Sequence, residues 1–382
     1  MCGMCLPHCP TYTLSQHESE SPRGRISLVK ALLEHRLEAE TGLIEHLDTC
    51  LGCMACQAMC PSQVAYGDII AAAKALTFPQ RQPVRAEQRV ARWSLQPARM
   101  AALSRIARPL KLGQITEWLG HLVQAPALAN QGFTLSQAHP KRFRPHYPSG
   151  QVRAPRVLLF TGCLGSVLDA TSLQHSIQLL NRLGYDVEVP ENPTCCGALH
   201  QHRGDQATSD RLLEENRNLF QAADVEQVLF VANGCGAFLQ QHLAETPMRD
   251  VVSFLLDQLT QSPRQIRPLH KRVMIHESCS SRFKLNIAGQ TRKLLEQIPD
   301  IELVDFNSGH LCCGAGGMHQ ISHPQISRQL ANIKVEELKL AVPDILVSDN
   351  YACALNLKHQ LRDQGIGVDI VHPVTLLASQ LS

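Results

Sequence analysis

The sequence predicts an α+β protein: a small helical, cysteine-rich domain followed by two duplicated α/β halves with mostly parallel sheets. Three observations carry this. Fifteen cysteines fall into three blocks, and the first block lies among helical periodicities alone. The other two blocks lie where strand-like and helix-like patterns alternate, which implies a parallel sheet. Those two stretches repeat one layout, so they read as an internal duplication.

Residues 1–76 form the first predicted domain. Between its two cysteine motifs a helix is expected from Ser21 as N-cap and Pro22 at the first helical position. Ile26, Val29, Leu32, Leu33 and Leu37 recur at helical spacing behind them. After the second motif, Asp68 to Leu76 reads as another helix. Residues 77–150 are a helical Pro/Arg-rich connector without cysteine. Its helical patches are Val84–Trp93 and Ile115–Val123, and 131–155 reads as irregular. No chemistry is assigned to the connector; its helices are expected to pack the two ends of the protein together.

From Arg156 the pattern becomes α/β. In the first half, 151–265, strands are expected at Val157–Phe160, Asp186–Val189 and Val228–Val231, with helices near Ala170–Leu183 and Asp205–Ala222. In the second half, 266–382, strands are expected at Arg272–Ile275, Ile301–Val304 and Asp344–Val347. The tails also match, Val251–Leu256 against Val371–Leu377. Cys163, Cys195, Cys196 and Cys235 are separated by gaps of 31, 0 and 38 residues. For Cys279, Cys312, Cys313 and Cys353 the gaps are 32, 0 and 39. Each cysteine follows a predicted strand, and ligands bind outside the carboxyl ends of parallel strands, so four thiols are expected to converge in each half.

The chemistry sits in the cysteines. Cys50, Cys53, Cys56 and Cys60, followed by Pro61, complete a C-x2-C-x2-C-x3-C-P run, in which three thiolates hold one cubane and the fourth ligates the other. Structural zinc is the alternative, but it does not call for the trailing Cys-Pro. Cys2, Cys5 and Cys9, followed by Pro10, fit the last three cysteines of the same run. By crossed ligation Cys9 joins Cys50, Cys53 and Cys56, while Cys60 joins Cys2 and Cys5. Two 4Fe-4S clusters are therefore expected. The second is incomplete if Met1 is the true start, because the missing cysteine would fall two residues earlier. A start upstream is the preferred explanation; a three-iron cluster, or a four-iron cluster with an open iron, is the other.

Soft thiolates in the two halves can hold a further iron–sulfur cluster, zinc, or act as redox thiols. Gly314-Ala315-Gly316-Gly317 lacks phosphate-loop spacing and is read as a close backbone approach or a plain tight turn. His276 and Glu277 precede Cys279 but lack an orienting group for nucleophilic catalysis, so a ligand-supporting or structural role is expected. No residue is assigned as catalytic.

Composition bounds the rest. The 382 residues imply two or three domains, and a net charge of +2 gives no basic face for nucleic acid. No apolar run approaches the roughly 18 residues of a transmembrane segment, and no signal region is evident. A cytoplasmic protein is expected, or one peripheral on the inner face of the cytoplasmic membrane through a partner. In a reducing compartment clustered cysteines serve as ligands rather than disulfides.

The C…CC…C halves resemble the CCG domain of heterodisulfide reductase subunits and of bacterial hydroxyacid oxidase subunits. In that family the pattern ends in CxxC, and the best-known versions bind a four-iron cluster through five cysteines. This chain departs from it at Phe238 and Asn356, which stand where the last cysteine would be. Glu20–Ile26, His46–Cys53 and Cys60–Gly67, together with both halves, resemble the iron–sulfur subunit of bacterial glycolate oxidase over nearly the whole chain. The resemblance implies an electron-transfer subunit. FAD-binding hydroxyacid oxidase subunits would be its partners and a quinone or membrane acceptor would lie downstream. The iron–sulfur subunit of a D-lactate or glycerol-3-phosphate dehydrogenase, or a CCG-type thiol–disulfide reductase, is the alternative. The absence of an FAD fingerprint agrees that hydroxyacid chemistry lies elsewhere. Arg23 and Arg25 are read as an anion or partner site, or as a solvated helix start.

Overall fold

A computed structural model describes residues 2–107, 111–112, 114–116 and 140–381. The α+β architecture is as expected. Among the described residues ahead of His146 none is in a strand. Helix Pro22–Leu33 starts where the cap predicts, the Ser21 hydroxyl accepting from the Gly24 amide at 2.9 Å. It stops short of Leu37, which is exposed. Tyr66–Thr77 and Arg85–Ser94 are the other two expected helices. The expected helix at 115–123 lies almost wholly outside the described residues.

Nine strands are described: β1 (His146–Tyr147), β2 (Arg156–Phe160), β3 (Asp186–Glu188), β4 (Gln227–Phe230), β5 (Met248–Asp250), β6 (Arg272–His276), β7 (Glu302–Asp305), β8 (Ile345–Ser348) and β9 (Asp369–Val371). They form two sheets, ordered β1-β3-β2-β4-β5 and β7-β6-β8-β9. All pairings are parallel except β1 with β3. The central strands read as apolar runs because both faces are covered; Val157, Leu158, Leu159 and Phe160 are all buried. Three strands escape the sequence reading: β1, inside the stretch read as irregular, and the edge strands β5 and β9. Each is two or three residues long and pairs on one side only, at the edge of its sheet.

The duplication is interlocked. Helix Val251–Gln261, which closes the first half, packs on Gln290–Leu295 of the second. Pro373–Gln380, which closes the second, packs on Ala170–Arg182 of the first. One apolar core therefore joins Leu159, Leu180 and Leu255 to Val273, Leu294 and Leu377. Each fully buried leucine there contributes about 2 kcal/mol.

The connector does tie the ends together. Glu87 accepts from Arg81 at 2.8 Å and from Arg203 of the first half at 2.7 Å, and Arg81 also pairs with Asp48. Gly204, at φ +87°, packs so closely on helix Tyr66–Thr77 that a Cβ would lie 2.2 Å from the Lys74 carbonyl oxygen. Among the described residues no helix is long and apolar enough to cross a membrane.

Candidate metal centre

The N-terminal centre is built from two loops. The helix Thr41–Asp48 delivers Cys50, and Cys56 lies in the short helix Ala55–Ala58. A cavity of about 20 Å³ is lined by Cys9, Cys50, Cys53 and Cys56, the set that crossed ligation groups together. The donor set is entirely thiol, which fits an iron–sulfur cluster. Burial raises the Cys50 thiol, but the charges of Arg25 and Lys74 and the Tyr66 hydroxyl at 3.4 Å bring it below its usual range. The site thus favours thiolate at Cys50. Cys5 and Cys60 are half-buried, and Cys2 is exposed.

Arg25 does not face solvent, and the anion it holds is the carboxylate of Glu20. It is buried, and its guanidinium donates to the carbonyls of His46 and Glu20, the Glu20 carboxylate, and the hydroxyls of Thr11 and Thr49. It is the pillar of the domain. Arg23 pairs with Glu18 at the surface.

The eight cysteines of the two halves form two strings. The thiols of Cys163, Cys195, Cys196 and Cys235 lie within electrostatic reach of one another along the string, as do those of Cys279, Cys312, Cys313 and Cys353. Cys163 and Cys279 follow β2 and β6 by three residues. Cys235 and Cys353 lie in the first turns of helices Asn233–His242 and Tyr351–Asp363. Cys195 and Cys196 arrive on a loop rather than at a strand end, since β3 stops at Glu188.

The expected convergence within each half therefore holds. Not foreseen is that both quartets open on one cavity of about 290 Å³, which Cys50 also lines. Val90, Trp93, Met100 and Ser104 of the connector also line it. The halves also reach into each other. Tyr351 lies within electrostatic reach of all four thiols of the first half. Its duplicate Asn233 donates to Ser281, two residues from Cys279, at 2.7 Å.

The N-terminal and second-half centres adjoin. Leu51, Cys53 and Ala55 pack in one apolar group with Cys312, against which Cys279 also lies. The Gly-rich turn serves this contact: a Cβ on Gly316 would lie 2.4 Å from the Leu51 side chain. It is a close backbone approach, made to the cysteine loop.

His276 is brought into the second site. One of its ring nitrogens and the sulfurs of Cys313 and Cys353 all lie within 4.8 Å of one another. Burial pushes the imidazole down to about 3, so the ring is neutral and carries a lone pair. His202 and His319 escaped the sequence reading. Each is six residues beyond the second cysteine of its pair. Each holds a buried Nε2 with no hydrogen-bond partner among the described residues. The shared offset was the available signal.

A family model of the 4Fe-4S dicluster domain matches residues 1–64, and the Cysteine-rich domain matches twice, at 157–240 and 273–358. The chain is 28% identical to a "Probable glycolate oxidase iron-sulfur subunit" of Bacillus subtilis, over 98% of this chain and 92% of that protein. It is 29% identical to the "Glycolate oxidase iron-sulfur subunit" of Escherichia coli, over 93% and 88%. It is 25% identical to one of the subunits of the fumarate reductase (CoM/CoB) of Methanothermobacter marburgensis, over 98% and 70%.

Proposed function

We infer that this iron–sulfur protein, built from a 4Fe-4S dicluster domain and two cysteine-rich domains, is the electron-transfer subunit of a flavin-dependent glycolate or other 2-hydroxyacid oxidase complex. A separate flavoprotein oxidises the hydroxyacid, and this chain carries electrons on towards a quinone or another respiratory acceptor. Bound clusters supply single-electron passage, which matches a flavin that releases its pair in two steps.

The observation that carries the reading is the contact of Cys53 with Cys279 and Cys312. Cys53 shares one apolar group with Cys312 and lies within electrostatic reach of Cys279, so the N-terminal thiols neighbour those of the second half. Clusters held by such neighbouring thiols would give single electrons a path through the chain. In this reading Cys2, Cys5 and Cys60 hold the second N-terminal cluster, and the chain alone is not catalytic on the hydroxyacid. Thiol–disulfide reduction is disfavoured. Where a fifth cysteine would stand, Phe238 packs against Gly197 and Asn356 is hydrogen-bonded to backbone.

The test is anaerobic co-expression with an FAD-binding hydroxyacid oxidase subunit. Glycolate should bleach the cluster absorbance of the complex and not of the isolated chain. D-lactate and glycerol 3-phosphate serve as competing substrates, and faster bleaching by either would reassign the donor. Reduced flavoprotein that leaves the clusters oxidised would refute the function.

A further inference from the structure

The two halves are built to one register but not to one chemistry. In the first, β2 and β4 end on Phe160 paired with Phe230. In the second, β6 and β8 end on His276 paired with Ser348. Both pairs stand three residues ahead of the first cysteine and five ahead of the last. A wall of two phenyl rings in one half is thus a histidine and a serine in the other.

The histidine is held as metal-ligating histidines are. The Ser348 hydroxyl lies 3.1 Å from its Nδ1 and in turn donates to the Asn350 carbonyl. That order makes Nδ1 the protonated nitrogen and leaves the lone pair on Nε2. The Phe306 ring contacts the imidazole edge-on, with centroids 6.0 Å apart, and limits its rotation. The ring is buried beside the thiols of Cys313 and Cys353. Imidazole is a good ligand for iron.

We propose that His276 is a fifth donor to an iron–sulfur cluster in the second half, making a mixed thiolate–imidazole site opposite an all-thiolate site in the first. This rests on the reading that the cysteine-rich halves hold iron–sulfur clusters. Exchange of thiolate for neutral imidazole raises a cluster's potential. The duplication then gives two sites of unlike ligation, with the mixed one beside Cys53.

The experiment uses the anaerobically purified, reduced full chain labelled with 15N-histidine and examined by pulsed paramagnetic resonance. One paramagnetic centre, lost in Cys353→Ala, should show histidine nitrogen coupling. His276→Cys should keep the iron content and that centre but lose the coupling and lower the midpoint potential. His276→Phe, which copies the first half, should lose the coupling as well. A Cys353-dependent centre without nitrogen coupling, or with coupling that survives in His276→Cys, would overturn the ligation alone. Absence of any Cys353-dependent centre would overturn the cluster reading of this half and the ligation with it.

Discussion

The Asn356 side-chain amide donates a 2.8 Å hydrogen bond to the carbonyl oxygen of Cys313. Its own oxygen accepts from Ser327 at 3.2 Å. The residue that replaces a cysteine thus locks the backbone beneath one. Both partners are buried, so Asn356→Ala leaves the Cys313 carbonyl unpaired, at a cost of about 1–3 kcal/mol. Thermal melting should show the loss, and the iron content of the second half should fall with it. An unchanged melting temperature would mean the amide is dispensable.

Arg25 supports the N-terminal centre with charge and with five hydrogen bonds. Arg25→Met keeps much of the stem volume but leaves Glu20 with only His46 and Thr49, and breaking a buried pair costs about 3–5 kcal/mol. Lysine cannot reproduce the planar fork, so Arg25→Lys should not restore that stability. Loss of the nearby positive charge in Arg25→Met should also lower the potential of the N-terminal cluster. Redox titration of the folded fraction checks this; a potential at or above that of the wild type would remove the electrostatic role.

Glu87 holds two arginines that belong to different parts of the chain. Glu87→Gln should cost about 3 kcal/mol because Arg203 is left buried without its anion and Arg81 keeps only Asp48. Gly204→Ala should act on the same seam, by driving a Cβ into the Lys74 carbonyl. Both variants are expected to speed hydrogen exchange in helix Tyr66–Thr77 above that of β2. Equal exchange in the variants and the wild type would show that the seam is held elsewhere.

Asp250 caps helix Val251–Gln261 through the Ser253 amide at 2.9 Å, while its other oxygen is buried without a partner among the described residues. Burial pushes the carboxyl up to about 7 against that hydrogen bond, and the charge of Asp349 adds to the rise. The unfolded value is near 3.9. Between about pH 4 and pH 7 the folded chain keeps a proton that the unfolded chain has released. Stability therefore falls as pH rises through that window and levels off above it. Asparagine caps equally well and stays neutral. Asp250→Asn should flatten the slope and raise the melting temperature at pH 8, by an amount equivalent to at most about 4 kcal/mol. Parallel pH profiles for the two proteins would exclude Asp250 as the source.

Much of the fold was legible because its signals are local. Val157–Phe160 reads as a buried strand from its own side chains, and Ser21-Pro22 announces a helix that begins there. β1, β5 and β9 were not legible, because each exists as a strand only by pairing with one neighbour at the edge of its sheet. Arg25 misled for a related reason. An arginine at a helix start looks solvated until the chain that folds over it, from Thr11 to Thr49, is in place.

By itself the sequence determined the soft donors, their spacing along the chain, and the duplication that uses one layout twice. Only the tertiary structure decided that both quartets face a single cavity, that Cys53 abuts Cys312, and that His276 stands beside Cys313 and Cys353. Spacing within a motif is set by covalent geometry over a few bonds. The approach of His276 to Ser348, 72 residues away, is set by the register of β6 on β8 and by the shared core beneath them. Long-range packing leaves no mark in any one segment.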